Sequence, residues 1–150
     1  MKRIHFSQLI AVLLFVLFVY TALNKYFDMA NFRASLEESP WVGNYSIFVS
    51  YAVPLLELIV AALLLVPRTR LKGLYASFWL MLFFTIYIAY MLVFTPELPC
   101  SCGGVISEMT WPQHLVFNIV FTLLAYVASW LHKHPGHAPQ QAHTISYTYK

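Results

Sequence analysis

The chain has 150 residues, enough for one ordinary domain, yet 60% of them are hydrophobic, only 10% are charged and the mean hydropathy is +0.66. That balance excludes a water-soluble globule, whose surface needs far more charge. The net charge of +3 comes mostly from basic residues split between the two tails and one short turn, so it is not the footprint of a nucleic-acid binder.

A bilayer core of about 30 Å calls for roughly 20 apolar helical residues. Four such runs occur, from Ile4 to Leu23, Tyr45 to Val66, Leu74 to Thr95 and Gln113 to Leu131, and Glu57 is the only carboxylate inside any of them. The expectation is an all-α integral membrane protein, a bundle of four transmembrane helices over residues 1–132 with a polar tail over 133–150. For the first run a secretory signal peptide is the competing reading, since Lys2 and Arg3 precede the apolar stretch from Leu9 to Tyr20. Tyr20-Thr21-Ala22 makes a poor cleavage site, which favours four spans.

After the first run, Lys25 and Asp28 mark its end, and Lys25 is expected to snorkel its ammonium to the interface as an anchor. The segment from Asn24 to Gly43 carries Phe27, Met29, Phe32 and Leu36 at mixed helical spacing, which predicts a short interfacial helix. Ser39 before Pro40 reads as an N-cap that starts the second span near Trp41. Pro54 within that span predicts a kink, and Glu57 follows it by about one turn. A carboxylate at this depth must face protein, so Glu57 is expected to point into the bundle, as a neutral structural group or in proton handling or quinone contact.

Pro67 to Gly73 is a short basic turn that makes spans two and three antiparallel neighbours. Beyond Thr95, Pro96, Pro99, Gly103 and Gly104 forbid continuous helix, and Thr110-Trp111-Pro112-Gln113 restarts one with capping-box spacing. His114 and Asn118 lie four residues apart, on one face of the last span just beneath the preceding loop. His114 is either a polar helix-end residue or a group that tunes a nearby thiol or moves a proton. In the tail, His132, His134, His137 and His143 stand among prolines that prevent a helix from aligning them, so scattered polar residues are preferred over a metal site.

Lys2, Arg3, Arg68, Arg70, Lys72, Lys133 and Lys150 fall on the side of the termini, against Lys25 and Arg33 on the other. By the positive-inside rule both termini face the cytoplasm. In a bacterial inner membrane the loop between spans three and four then faces the periplasm.

That loop holds the only two cysteines, Cys100 and Cys102. Residues two apart can reach the Cα separation a disulfide needs, of about 4.4–6.8 Å, but the small ring is strained and hence reducible. The periplasm lets such a bond form. A bridge enclosing one residue restrains little of the unfolded chain, so exchange with a partner thiol explains the pair better than a staple does. Zinc would need two further ligands, and Glu97, Glu108 and His114 make a poor set, so no metal is expected.

The sequence resembles the MauE family of methylamine-utilisation membrane proteins, within a wider DoxX-like group. The resemblance is carried by Asn24-Lys25-Tyr26-Phe27-Asp28 with Phe32 following, by Pro54-Leu55-Leu56-Glu57-Leu58, and by Pro99-Cys100-Ser101-Cys102-Gly103-Gly104. Asn118 resembles the family's polar residue in the last span. The resemblance implies a four-helix bundle with a role in maturation or disulfide handling of exported proteins. In overall plan the chain is also similar to vitamin K epoxide reductase-like oxidases, which pass electrons to quinone, but it has one cysteine pair and no Cys-x-x-Cys motif.

The sequence therefore predicts an inner-membrane thiol-disulfide protein in which Cys100 and Cys102 exchange with an exported client or a thioredoxin-like carrier. Cys102 is the expected attacking thiol, nearer the last helix start, whose dipole favours a thiolate. Lys25, Glu57, His114 and Asn118 are supporting residues, membrane lipid is the surroundings, and no cofactor is assigned, a quinone being the candidate. The rival reading is a non-enzymatic assembly subunit or chaperone whose disulfide merely shapes a loop.

Overall fold

A computed structural model of the chain describes residues 2–39, 41–94 and 110–133. Helix α1 spans Lys2–Phe27, α2 Met29–Glu37, α3 Ser46–Leu65, α4 Arg70–Phe94 and α5 Trp111–Lys133, with one 3-10 turn at Gly43–Tyr45. Four helical stretches are long and apolar enough to cross a membrane: His5–Phe27, Gly43–Leu65, Arg70–Phe94 and Trp111–Lys133. The expected four-helix membrane bundle is thus the observed architecture. The cysteine pair, Glu97, Glu108 and the tail from His134 onward lie outside the described residues.

The bundle is apolar on its outer surface as well as in its core, and its polar side chains within the spans are mostly buried. Leu9, Val12, Leu55, Phe83, Val116 and Leu123 face outward, whereas Ser7, Ser50, Glu57, Ser77, Asn118, Thr122 and Ser129 are buried. In lipid, outward apolar side chains lose nothing, while an outward carboxylate or amide would lack a partner; the small Ser and Thr side chains, bonded mostly to carbonyls of their own helices, let neighbouring helices pack closely. Ile10, Ala11, Leu14 and Phe18 of α1 pack with Val60, Ala61 and Leu64 of α3, with Leu74 and Met81 of α4 and with Ala125 and Ala128 of α5. The start of α1 therefore meets the end of α3 and of α5, and the Ser7 hydroxyl donates to the Ala128 carbonyl at 3.0 Å. Helices α1 and α3 run antiparallel, and the chain's N-terminal end, the α3–α4 turn and the end of α5 share one face of the bundle. The opposite end is closed by α2.

Helix α1 runs four residues past the last apolar residue of its window, because intrahelical hydrogen bonds need no apolar side chains. Asp28 leaves helical geometry at φ −114°, ψ 40°, and its carbonyl accepts from Phe32 N–H at 3.0 Å, so α2 begins after a one-residue break. Phe32 and Leu36, one turn apart, are buried by α2 beneath the bundle's end, while Arg33 and Glu37 pair at 2.9 Å on its exposed face.

The second span does not begin with a Ser39 cap at Trp41. The Gly43 N–H donates to the Ser39 carbonyl at 2.9 Å, a 3-10 turn follows, and α3 starts only at Ser46. There the chain folds back on the end of α2 so closely that a Cβ on Gly43 would lie 2.8 Å from the Glu37 carbonyl oxygen. The α3–α4 turn is equally tight, with the Cβ position of Gly73 2.8 Å from the Leu64 nitrogen. The last carbonyls of α3 are capped from across this turn, Leu63 by the Thr69 hydroxyl at 3.0 Å and Leu64 by the Arg70 Nε at 3.3 Å. At the start of α5 the capping-box expectation holds on the side of Gln113, whose Oε1 accepts from the Thr110 N–H at 3.0 Å.

Candidate functional site

Glu57 sits on α3 one turn after Pro54 and is 1% exposed. Lys25 does not snorkel outward as an interfacial anchor. It turns into the bundle, where its Nζ donates to Glu57 Oε1 at 2.7 Å. Helix geometry explains the correction. Every Cα–Cβ bond tilts toward its helix N-terminus, and α1 and α3 are antiparallel, so Lys25 leans down the bundle and Glu57 leans up toward it. Inward, the ammonium meets a full countercharge that the interface would not supply.

The environment holds the cation in place. Lys25 Nζ lies 5.7 Å from the ring centroids of both Phe32, on α2, and Phe84, on α4. Two aromatic faces and one carboxylate thus bracket one ammonium, drawn from four helices. Glu57 Oε1 is satisfied, whereas Oε2 is buried and accepts no hydrogen bond among the described residues. The Thr21 hydroxyl, one turn before Lys25, donates to the Phe18 carbonyl at 3.3 Å.

Beside the ion pair lies a cavity of about 160 Å³, lined by Lys25, by Phe32 and Leu36 of α2, by valines of α3, by Phe84 and Tyr87 of α4, and by His114 of α5. His114 is half-buried and its backbone N–H closes the first turn of α5 onto the Thr110 carbonyl at 2.9 Å. The structure therefore brings Lys25 and His114 to one cavity at the α2 end and pairs Lys25 with Glu57 deeper in the bundle. Asn118 stands one turn below His114, buried, with its Nδ2 donating to the His114 carbonyl at 2.9 Å. Below it, the Thr122 and Thr85 hydroxyls approach to 3.1 Å across the α4–α5 interface.

Sequence reasoning singled out each member of the ion pair but did not join them. Glu57 was the only carboxylate within the four apolar runs, and a charge in lipid is driven toward a countercharge, but several cations stand at the span ends and nothing in the sequence singled out Lys25 as the partner. Phe32 stood out in the sequence only as an interfacial and family-like residue, and Phe84 and Tyr87 carried no signal, because aromatic residues are everywhere in this chain.

A family model for methylamine utilisation protein MauE matches residues 3–131, which include all of the membrane-spanning helices apart from their extreme ends. No match was found among curated proteins or among solved structures. With the match extending over most of its length, and with four helices fit to cross a membrane, the chain belongs to the MauE family of methylamine utilisation proteins.

Proposed function

We propose that this MauE protein is a thiol-disulfide maturation factor of the bacterial inner membrane that acts on exported proteins through Cys100 and Cys102. The observation that carries the reading is the Pro99-Cys100-Ser101-Cys102-Gly103-Gly104 motif, the only cysteines of the chain gathered into one short segment. Supporting it, α4 ends at Phe94 and α5 starts at Trp111 at the α2 end of the bundle, where Lys25 and His114 line one cavity. The basic turn at Arg68, Arg70 and Lys72 lies at the opposite end, which favours a cytoplasmic location for that end and a periplasmic one for the cysteines.

In this reading a client thiolate attacks one sulfur of the Cys100–Cys102 bond, and the other sulfur leaves as a thiolate that takes up a proton. The client's second thiolate then attacks the client sulfur of this mixed disulfide, forming the client disulfide and expelling the bound cysteine as a thiolate that takes up the second proton, so two electrons and two protons pass from the client dithiol to the cysteine pair. An oxidised thioredoxin-like carrier reverses these steps to restore the disulfide. Glycines beside Cys102 allow a partner backbone to approach closely.

The experiment is complementation of a deletion strain with the Cys100→Ser/Cys102→Ser double variant, with membrane levels matched by immunoblot. Loss of function is expected. Full complementation would leave the protein as an assembly subunit that needs no thiol chemistry.

A further inference from the structure

We infer that the cavity beside Lys25 is a binding site for the headgroup of a quinone, with Lys25 and His114 offering hydrogen bonds to its carbonyl oxygens.

The chemistry of the walls narrows the ligand step by step. An ammonium has three N–H donors, and among the described residues Lys25 spends one, on Glu57. The imidazole of His114 lines the same space and makes no side-chain hydrogen bond among the described residues. Lys25 and His114, with Tyr87 as the third polar side chain of the wall, thus face an otherwise apolar cavity, which calls for a ligand with acceptor oxygens on an apolar frame. The Lys25 ammonium disfavours an amine or other cation. The Glu57 carboxylate already neutralises Lys25, which disfavours an anion, because an added negative charge would be buried without a countercharge. A neutral molecule remains.

Shape narrows it further. The rings of Phe32 and Phe84 both border the space, and flat apolar faces favour a flat ring. A volume of about 160 Å³ is close to that of an apolar cavity of about 150 Å³ known to take up benzene, so the space is sized for one six-membered ring whose substituents lie toward the open side of the cavity. A lipid tail would have to remain outside. The route is available, because Phe83 forms part of the cavity wall and is also 61% exposed on the lipid-facing surface of α4. A quinone, with a flat ring, carbonyl acceptors, no charge and an isoprenoid tail in the bilayer, satisfies each constraint.

The proposal concerns binding and does not depend on the cysteine chemistry. It is tested with the full chain in nanodiscs of phosphatidylethanolamine and phosphatidylglycerol, using a short-chain azido-ubiquinone as photoaffinity probe and peptide mapping of the adduct. Saturable labelling of α2, α4 or α5 residues around the cavity is expected, displaced by unlabelled short-chain ubiquinone. Val53→Trp, which fills the cavity from the α3 side, should reduce labelling at least tenfold. Helix content and thermal unfolding of the variant are recorded alongside, and if Val53→Trp does not fold, His114→Phe takes its place with the same expectation. The Cys100→Ser/Cys102→Ser variant should label as the parent does, whatever becomes of the thiol-disulfide reading. Labelling that unlabelled ubiquinone does not displace, that the filled cavity leaves unchanged, or that is lost with the cysteines would overturn the assignment.

Discussion

Lys25 and Glu57, 32 residues apart in the chain, meet at 2.7 Å between the end of α1 and the middle of α3. The two partners are unequal. Glu57 is held at the centre of a span on a short side chain, whereas Lys25 stands in the last turn of α1 on a long flexible stem. Lys25→Met strands a buried carboxylate and is expected to cost about 3–5 kcal/mol, while Glu57→Gln leaves a lysine that can swing to the interface and should cost less. Replacing both with apolar residues of similar volume should recover most of the loss. Thermal unfolding in detergent of the two single variants and of Lys25→Met/Glu57→Leu checks the order. A Glu57→Gln variant less stable than Lys25→Met would show that the carboxylate, not the lysine, is the freer partner.

Gly73 sets the distance between α3 and α4 at their shared turn. A methyl group there would stand 2.8 Å from the Leu64 nitrogen and 2.9 Å from the Leu63 carbonyl carbon, both backbone atoms that cannot rotate away. Gly73→Ala is therefore expected to destabilise by about 1–3 kcal/mol through forced separation of the two helices. The gain in helix propensity, about 1 kcal/mol, offsets only part of this. Equal unfolding temperatures for the variant and the parent would mean that the turn can open without cost.

The Thr85 and Thr122 hydroxyls lie 3.1 Å apart, and each is also 2.7 Å from a carbonyl of its own helix, Met81 and Asn118 respectively. Each hydroxyl has one hydrogen, so both cannot donate to their carbonyls and still bond to each other. The interhelical link is consequently a shared one, and Thr122→Val should cost about 0.6 kcal/mol and no more than about 1.7 kcal/mol. A double-mutant cycle with Thr85→Val measures the coupling directly.

Most of the fold was legible in the sequence because lipid imposes a length and an uncharged composition on each span. Helix ends were less legible. The α1 end is set by backbone hydrogen bonding through polar residues such as Asn24 and Lys25, which a hydropathy window discards, whereas the α5 start was legible from the Thr110–Gln113 capping spacing. The Ser39 cap failed for a tertiary reason, the return of the chain over the end of α2 at Gly43. Within the candidate site, the inward position of Glu57 followed from the cost of a carboxylate in lipid. The inward turn of Lys25 did not, because it depends on α1 and α3 being antiparallel neighbours, a relationship between helices that neither helix encodes by itself.

Orientation is open to a separate check. With basic residues at the end that carries both the N-terminal segment and the α3–α4 turn, reporters fused after Lys133 or inserted at Thr69 should behave alike, active as cytoplasmic fluorescent proteins and silent as alkaline phosphatase. Active phosphatase at either position would reverse the proposed topology.

If Cys102 is the attacking thiol, Cys102→Ser should abolish mixed disulfides with partners, whereas Cys100→Ser should trap them. Non-reducing gels of membranes from the two single variants read this out. Equal trapping by both variants would remove the division of roles while leaving exchange itself in place.

The most direct measurement is a redox titration of Cys100 and Cys102 in intact membranes, by mass-tagged maleimide labelling across a series of glutathione potentials. A thiol-disulfide exchange role requires the pair to switch between about −250 and −100 mV, the range of proteins that trade disulfides with partners. A bond that stays closed below about −300 mV, or two thiols that stay free under oxidising conditions, would contradict it.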